Sequence, residues 1–271
     1  MTPAAALRGL GIALVVSVSL FPYLWMVLSS IKPTNLLYAT PTVWLFPPTA
    51  DHYYAAFVEK GLWRNLLNSL VVAGSTTLLT VAIGTPAAYA FARFRLARKD
   101  DMFMYILSTR MAPAIALAIP FYLMFAGLGL LNTHAVLILA HLTFNLSFYV
   151  WVMRGFFAEV PAELEESARV DGYTPWQAFT RVTLPLARPG ITAGAIFCFI
   201  FSWNEFLFAL ILGGGDVTTL PVVISSLISD RGPEWGQIAA VATVVALPIL
   251  VLLFAVQRHL VRGLTLGAVK G

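Results

Sequence analysis

Residues 160–185 read VPAELEESARVDGYTPWQAFTRVTLP, a polar stretch between two long apolar runs at about 134–154 and 190–212. Pro161 suits a first helical turn, and Glu163, Glu165 and Glu166 complement the positive end of a helix dipole. Leu164, Ala168 and Asp171 share one face at i, i+4 and i+7 spacing. Gly172 is placed to end this helix in a left-handed conformation. Thr174 then caps a second short helix with Pro175 at its first position. Phe179 and Val182 extend that helix, and Pro185 stops it. The result is two short helices joined at a glycine, charged at the start and apolar in the middle. Such an element fits a groove on a partner; the other reading is an ordinary re-entry loop packed beneath the helices.

Outward from this stretch the chain is apolar. It has 271 residues, 59% hydrophobic and 11% charged, with a mean hydropathy of +0.82. Soluble domains carry about 25% charged residues, so a water-facing surface is excluded for most of the chain and a bilayer is the natural solvent. Six runs, at about 8–31, 66–92, 102–126, 134–154, 190–212 and 238–257, are long enough to span as helices. The expectation is an all-α, polytopic membrane protein. A single transmembrane domain takes up residues 1–271, and the long connection 155–189 lies on one side. The first run, near Leu7 to Ile31, is too long for a leader core and reads as a retained span. Between spans one and two, Trp44 and Phe46 belong to a proline-rich interfacial loop, and Asp51–Arg64 reads as an amphipathic surface helix.

Charge sets the orientation. Twelve basic residues, among them Arg93, Arg95, Arg98, Lys99, Arg154, Arg169, Arg181 and Arg188, collect on one side. Four, Lys32, Lys60, Arg64 and Arg231, fall on the other. The richer side is cytoplasmic, which places both termini and the 155–189 loop inside. The net charge of +4 is therefore a topology signal and not a nucleic-acid footprint. The one cysteine, Cys198, sits in an apolar run; it excludes an intrachain disulfide and reads as a packing residue.

Glu166, Ser167 and Ala168, then Asp171 and Gly172, then Leu184 and Pro185, resemble the EAA coupling loop of ATP-binding-cassette (ABC) importer permeases. The common form there is Glu-Ala-Ala, a later glycine and a closing Ile-x-Leu-Pro. Ser167 stands here for the second alanine and Val182 for the isoleucine. Residues 171–179 (DGYTPWQAF), 203–207 (WNEFL) and 263–271 (GLTLGAVKG) are similar to the smaller permease subunit of maltose-type carbohydrate importers.

That resemblance implies a type I ABC importer permease of the cell inner membrane, one half of a path for an oligosaccharide or sugar alcohol moved by alternating access. It implies a second homologous permease subunit, two copies of a cytoplasmic ATPase and an external solute-binding protein. Glu166 would meet a basic residue in the ATPase groove. Glu163, Ser167, Ala168, Asp171, Gly172, Phe179, Leu184 and Pro185 would complete the coupling surface, and the tail after Gly263 would pack between ATPase domains. The segment 213–237 would face the binding protein, with its tip at Asp230, Arg231, Gly232 and Pro233. The chain has no Gly-x-x-x-x-Gly-Lys-Ser/Thr phosphate loop. It is accordingly expected to be non-catalytic and without a cofactor or metal, with ATP and magnesium bound by the partner; the glycines at 213–215 read as a turn.

Ionisable and polar groups inside spans mark candidate solute contacts, because they are expensive in hydrocarbon. Trp203, Asn204 and Glu205 offer a flat apolar face, an amide and a carboxylate for a sugar; a structural hydrogen bond between helices is the competing role. Arg110 either pairs with Glu205 or snorkels toward the cytoplasm, and Pro113 and Pro120 bend its span and free carbonyls toward a cavity. Asn145 and His141 are weaker candidates and suit interhelical hydrogen bonds; His134 reads as an outer-boundary residue. An ion-coupled secondary transporter is the alternative function, using Glu205 and Arg110. It asks for an internal repeat, and the chain halves show none.

Overall fold

A computed structural model of the chain describes residues 3–229 and 232–266, mostly helix, with one two-residue antiparallel pairing of Ile228–Ser229 against Gly232–Pro233. In hydrocarbon every backbone N–H and C=O must be satisfied within the segment, and a helix does this for any apolar sequence. Among the described residues, four helices are long and apolar enough to cross a membrane: Leu7–Ser30, Trp63–Arg93, His134–Glu159 and Trp235–Phe254. Two further pairs, Lys99–Met111 with Ala114–Gly127 and Pro175–Leu186 with Arg188–Trp203, are bent by 93° and 73°. The count rises to six if each bent pair is one span.

The chain divides into two compact units. The first comprises Met1–Arg64 with Val223–Pro248. Its helix Pro3–Ser30 presents exposed leucine, valine and isoleucine along most of its length, as a lipid- or partner-facing helix does. Ser30 closes it, bonding the Val27 carbonyl at 2.7 Å and the Tyr53 hydroxyl at 2.8 Å. Lys32 is buried with its Nζ 5.5 Å from the Trp25 ring and 5.1 Å from Phe46, and Trp25 meets Trp44 edge-on. The aromatic connector thus shields a buried lysine. The helical stretch from Asp51 ends at Glu59, and after a left-handed Gly61 the next helix already begins at Trp63. Arg64 therefore belongs to span two and not to a surface helix.

The second unit comprises Asn65–Val222 with Ile249–Gly271. Span two, Trp63–Arg93, buries Ser69, Ala73, Thr76, Thr80, Gly84 and Ala88, a run of small residues near i+4 spacing that lets helices approach closely. Span four, His134–Glu159, is the central helix, capped by Thr133, whose Oγ1 accepts the Val136 amide at 3.2 Å. Its Tyr149 lies between Gly84 of span two and Gly194 of the Arg188–Trp203 helix. A Cβ at either glycine would come within 2.6 and 2.8 Å of the ring. Cys198 is buried in the same core. At the other end of span two, Asn65 and Asn68 donate to the Thr218 and Asp216 carbonyls and Ser69 accepts the Leu220 amide. Gly214 and Val217 bridge as the turn expected there.

Two expected spans are not continuous. The run 102–126 breaks at Ala112 and Pro113, and the run 190–212 breaks after Trp203, resuming at Leu207–Leu212. Apolarity alone marks both runs as spans; backbone chemistry at these residues interrupts them.

Candidate coupling loop and solute cavity

The loop helix Ala162–Val170 ends as its sequence dictates. Gly172 takes φ +90°, its amide donates to the Arg169 carbonyl at 3.1 Å, and the Tyr173 amide reaches back to Ala168 at 3.0 Å. This double bond is a Schellman closure. Thr174 and Gln177 then form a capping box over the helix that opens at Pro175, each side chain bonding the other's backbone amide at 2.9 and 3.2 Å.

The inner face of the first loop helix departs from expectation. Leu164 is exposed; the two buried residues are Glu165 and Ala168. Glu165 accepts Arg93 Nε at 2.8 Å through Oε1 and the Tyr89 hydroxyl at 2.6 Å through Oε2, while Arg93 Nη2 donates to the Val160 carbonyl at 2.6 Å. Burial raises the Glu165 carboxyl. The Tyr89 and Arg93 hydrogen bonds and the Arg93 charge outweigh it and hold the group below the usual carboxylate range. Sequence spacing favoured Leu164 because hydrophobicity was the criterion. The signal for Glu165 was its position three residues before Ala168, with a basic cluster at Arg93 needing a partner. The second loop helix also runs past Pro185 to Leu186 and bends at Ala187, because proline is tolerated early in a helical turn.

The cavity forms where the two spans break. Pro113 has no amide hydrogen and drives Ala112 extended, at φ −63° and ψ 128°. At Asn204–Phe206 the second break exposes the amides of the Leu207–Leu212 helix. Glu205 takes them, accepting Phe208 N at 2.9 Å and Ala209 N at 3.1 Å, with Oε2 also 3.2 Å from His141 Nε2. Between the breaks lies a cavity of about 380 Å³, lined by Thr109, Arg110, Thr143, Phe144, Phe201, Asn204, Glu205 and Phe208 among others. That volume is within the roughly 300–1,000 Å³ of small-molecule sites. Arg110 has its guanidinium 4.6 Å from the Phe148 ring and 4.7 Å from Phe201, and no carboxylate lies within ion-pair distance of it among the described residues.

Residues 81–266 match the family model described as "Binding-protein-dependent transport system inner membrane component". The chain belongs to that family. Among similar proteins, the trehalose transport system permease protein SugB of Mycobacterium tuberculosis is 39% identical, over 95% of each chain. The diacetylchitobiose uptake system permease protein DasC of Streptomyces coelicolor is 36% identical, over 93% of this chain and 92% of that one. A solved bacterial ABC transporter involved in the import of the acidic polysaccharide alginate shares the fold, at 20% identity and a TM-score of 0.79, over 95% of this chain and 98% of that one. The resemblance to ABC importer permeases is thereby borne out, and the ion-coupled alternative falls away.

In this permease the candidate residues separate. Glu163, Glu166, Ser167, Asp171 and Gly172 are exposed on the loop; Ala168 and Phe179 are buried beneath it, and Leu184 and Pro185 are half-buried. Exposed Val170 and Trp176 add apolar surface to the loop that sequence reading overlooked. Arg110, Asn204 and Glu205 share one cavity. Trp203 does not line it: it is buried, stacked on Phe199 at 5.5 Å. Asn145 is also buried, donating to the His141 carbonyl at 3.0 Å and Ser202 Oγ at 2.9 Å. The Arg110–Glu205 pair does not form, because exposed helix amides and His141 claim the carboxylate while the 93° bend lays Arg110 on aromatic faces. His134 bonds Asn68 Oδ1 at 2.8 Å. Asp230 and Arg231, and the tail from Gly267 onward, lie outside the described residues.

Proposed function

We propose that this permease is one half of the membrane path of an ATP-driven carbohydrate importer and takes its driving force through the loop 155–189. The loop is a two-helix knob, capped at both helix ends that meet near Gly172, with Glu163, Glu166 and Ser167 on its exposed side. Its shape suits a groove on a cytoplasmic ATPase, two copies of which would bind ATP and magnesium and carry out hydrolysis. Both termini are assigned to the cytoplasm. A second permease subunit and an external solute-binding protein complete the assembly.

The observation that carries the solute side is the cavity between the two broken spans. Broken helices at membrane depth are tolerated where they line a cavity. Here Arg110 offers N–H donors that carry no ion pair among the described residues, Asn204 offers an amide, Thr109 and Thr143 offer hydroxyls, and Phe144, Phe201 and Phe208 supply apolar walls. This is the chemistry of a neutral, hydroxyl-rich ring solute, and it agrees with the saccharides in the names of the relatives. Purification of the tagged permease from its native membrane, followed by uptake of a disaccharide panel in proteoliposomes holding ATP, tests the proposal. Recovery of an ATPase subunit and ATP-dependent uptake are expected. Uptake driven by an ion gradient without ATP would sink it.

A further inference from the structure

Of the first loop helix, Ala162–Val170, two residues are buried against the rest of the permease, Glu165 and Ala168. One of these two anchors is a carboxylate with 12% of its side chain exposed, against 14% for Arg93. Burying an ion pair costs desolvation, and an apolar side chain at 165 would adhere as well. What the charged anchor adds is direction: charge-assisted hydrogen bonds are short and angular, whereas an apolar contact can slide.

The partners are placed to use that direction. Tyr89 and Arg93 lie four residues apart on one face of span two. Together they hold Glu165 by both oxygens, and Arg93 also grips the Val160 carbonyl at the end of span four. The Tyr89 ring packs on Phe179 of the second loop segment at 4.4 Å between centroids and on Phe157 of span four at 5.7 Å. Both parts of the loop therefore bear on Tyr89 of span two, and the first loop helix on Arg93 as well.

We infer that Glu165 is a positioning residue that converts displacement of the loop into displacement of span two, through Arg93 and Tyr89. The inference rests on the coupling role proposed above. Glu166 faces outward to the ATPase; Glu165, its neighbour, faces inward to the bundle. One helical turn thus carries both sides of the connection.

The test uses the full importer, permease with its ATPase and binding-protein partners, in proteoliposomes. Glu165→Gln keeps the shape and an acceptor for Tyr89 but removes the charge. It is expected to retain the ATPase subunit and its hydrolysis within about twofold, while solute moved per ATP falls by about tenfold, a size typical of coupling between sites. Tyr89→Phe, which deletes one hydroxyl and leaves the packing, is expected to lower the same ratio less and decides the matter if Glu165→Gln fails to fold. Combining Arg93→Glu with Glu165→Arg should recover part of the ratio that either change alone removes. An unchanged transport-to-ATP ratio in Glu165→Gln and Tyr89→Phe would overturn the inference. Loss of the ATPase subunit from purified Glu165→Gln would overturn it too, by making Glu165 an assembly residue. Failure of the wild-type permease to retain any ATPase would instead remove the coupling role itself.

Discussion

The Glu205 carboxylate closes the gap in the fifth span, with its Oε2 3.2 Å from His141 Nε2 of span four and both oxygens on the amides of the Leu207–Leu212 helix. A carboxylate caps a helix N-terminus well because it answers unsatisfied N–H groups and the dipole together. Glu205→Ala leaves those donors and the imidazole without their acceptor, at about 2–3 kcal/mol. Glu205→Gln keeps an acceptor and should cost about half as much. Thermal unfolding in detergent orders the three proteins; equal midpoints would show that the break does not need the cap.

Arg110 behaves differently, because its contacts within the chain are to aromatic faces. Arg110→Ala is expected to leave the unfolding midpoint nearly unchanged and to cut disaccharide uptake by about tenfold, with Arg110→Lys intermediate since an ammonium lacks the planar fork. Uptake by Arg110→Ala at the wild-type rate would remove Arg110 from the solute path.

Glu166→Ala should impair ATPase recovery or transport while the bundle stays folded. Its side chain is exposed, so folding gains little from it. Circular dichroism together with pull-down separates the two effects; wild-type transport in this variant would count against the coupling role.

Acid should loosen the loop. The Glu165 carboxyl is held below its ordinary value of 4.5 by Tyr89 and Arg93 against the opposing effect of burial. A depressed carboxylate contributes stability that is present above its unfolded pKa and lost as pH falls through the folded one. Docking of the Ala162–Val170 helix is thus complete at neutral pH and starts to weaken below about 4.5. Hydrogen exchange of amides 163–171, corrected for intrinsic rates, should show protection falling over that window in wild type and much less dependence in Glu165→Gln.

The Tyr149 ring leaves no room for a methyl at Gly84, where a Cβ would sit 2.6 Å from Cδ1. Gly84→Ala should destabilise by about 1–3 kcal/mol through overpacking, and adding Tyr149→Leu should relieve part of it. Additive losses in the double variant would mean the two positions do not share the contact.

Much of this was written in local sequence. Gly172, Thr174 and Pro175 have their observed roles because helix ends are decided by a few neighbouring residues: a left-handed glycine, a hydroxyl acceptor, a ring without an amide hydrogen. The apolar runs were equally legible, since hydrocarbon admits helix for any such sequence. The family resemblance followed from the same loop, the Trp203–Leu207 segment and the tail.

Partner choice was not legible. Arg110 and Glu205 are a plausible ion pair by type, yet a 93° bend at Ala112–Pro113 and a break after Trp203 send one to two phenylalanines and the other to helix amides and His141. Trp203 reads as a sugar platform until packing buries it. Glu165 reads as one of three acids favouring a helix start until Arg93 and Tyr89, more than seventy residues earlier in the chain, make it an anchor. Spacing along the chain determined which segments became helices and where they end. Which polar side chains meet was decided only in three dimensions, because in a buried setting each donor and acceptor takes the nearest group that satisfies it, and nearness there is set by packing.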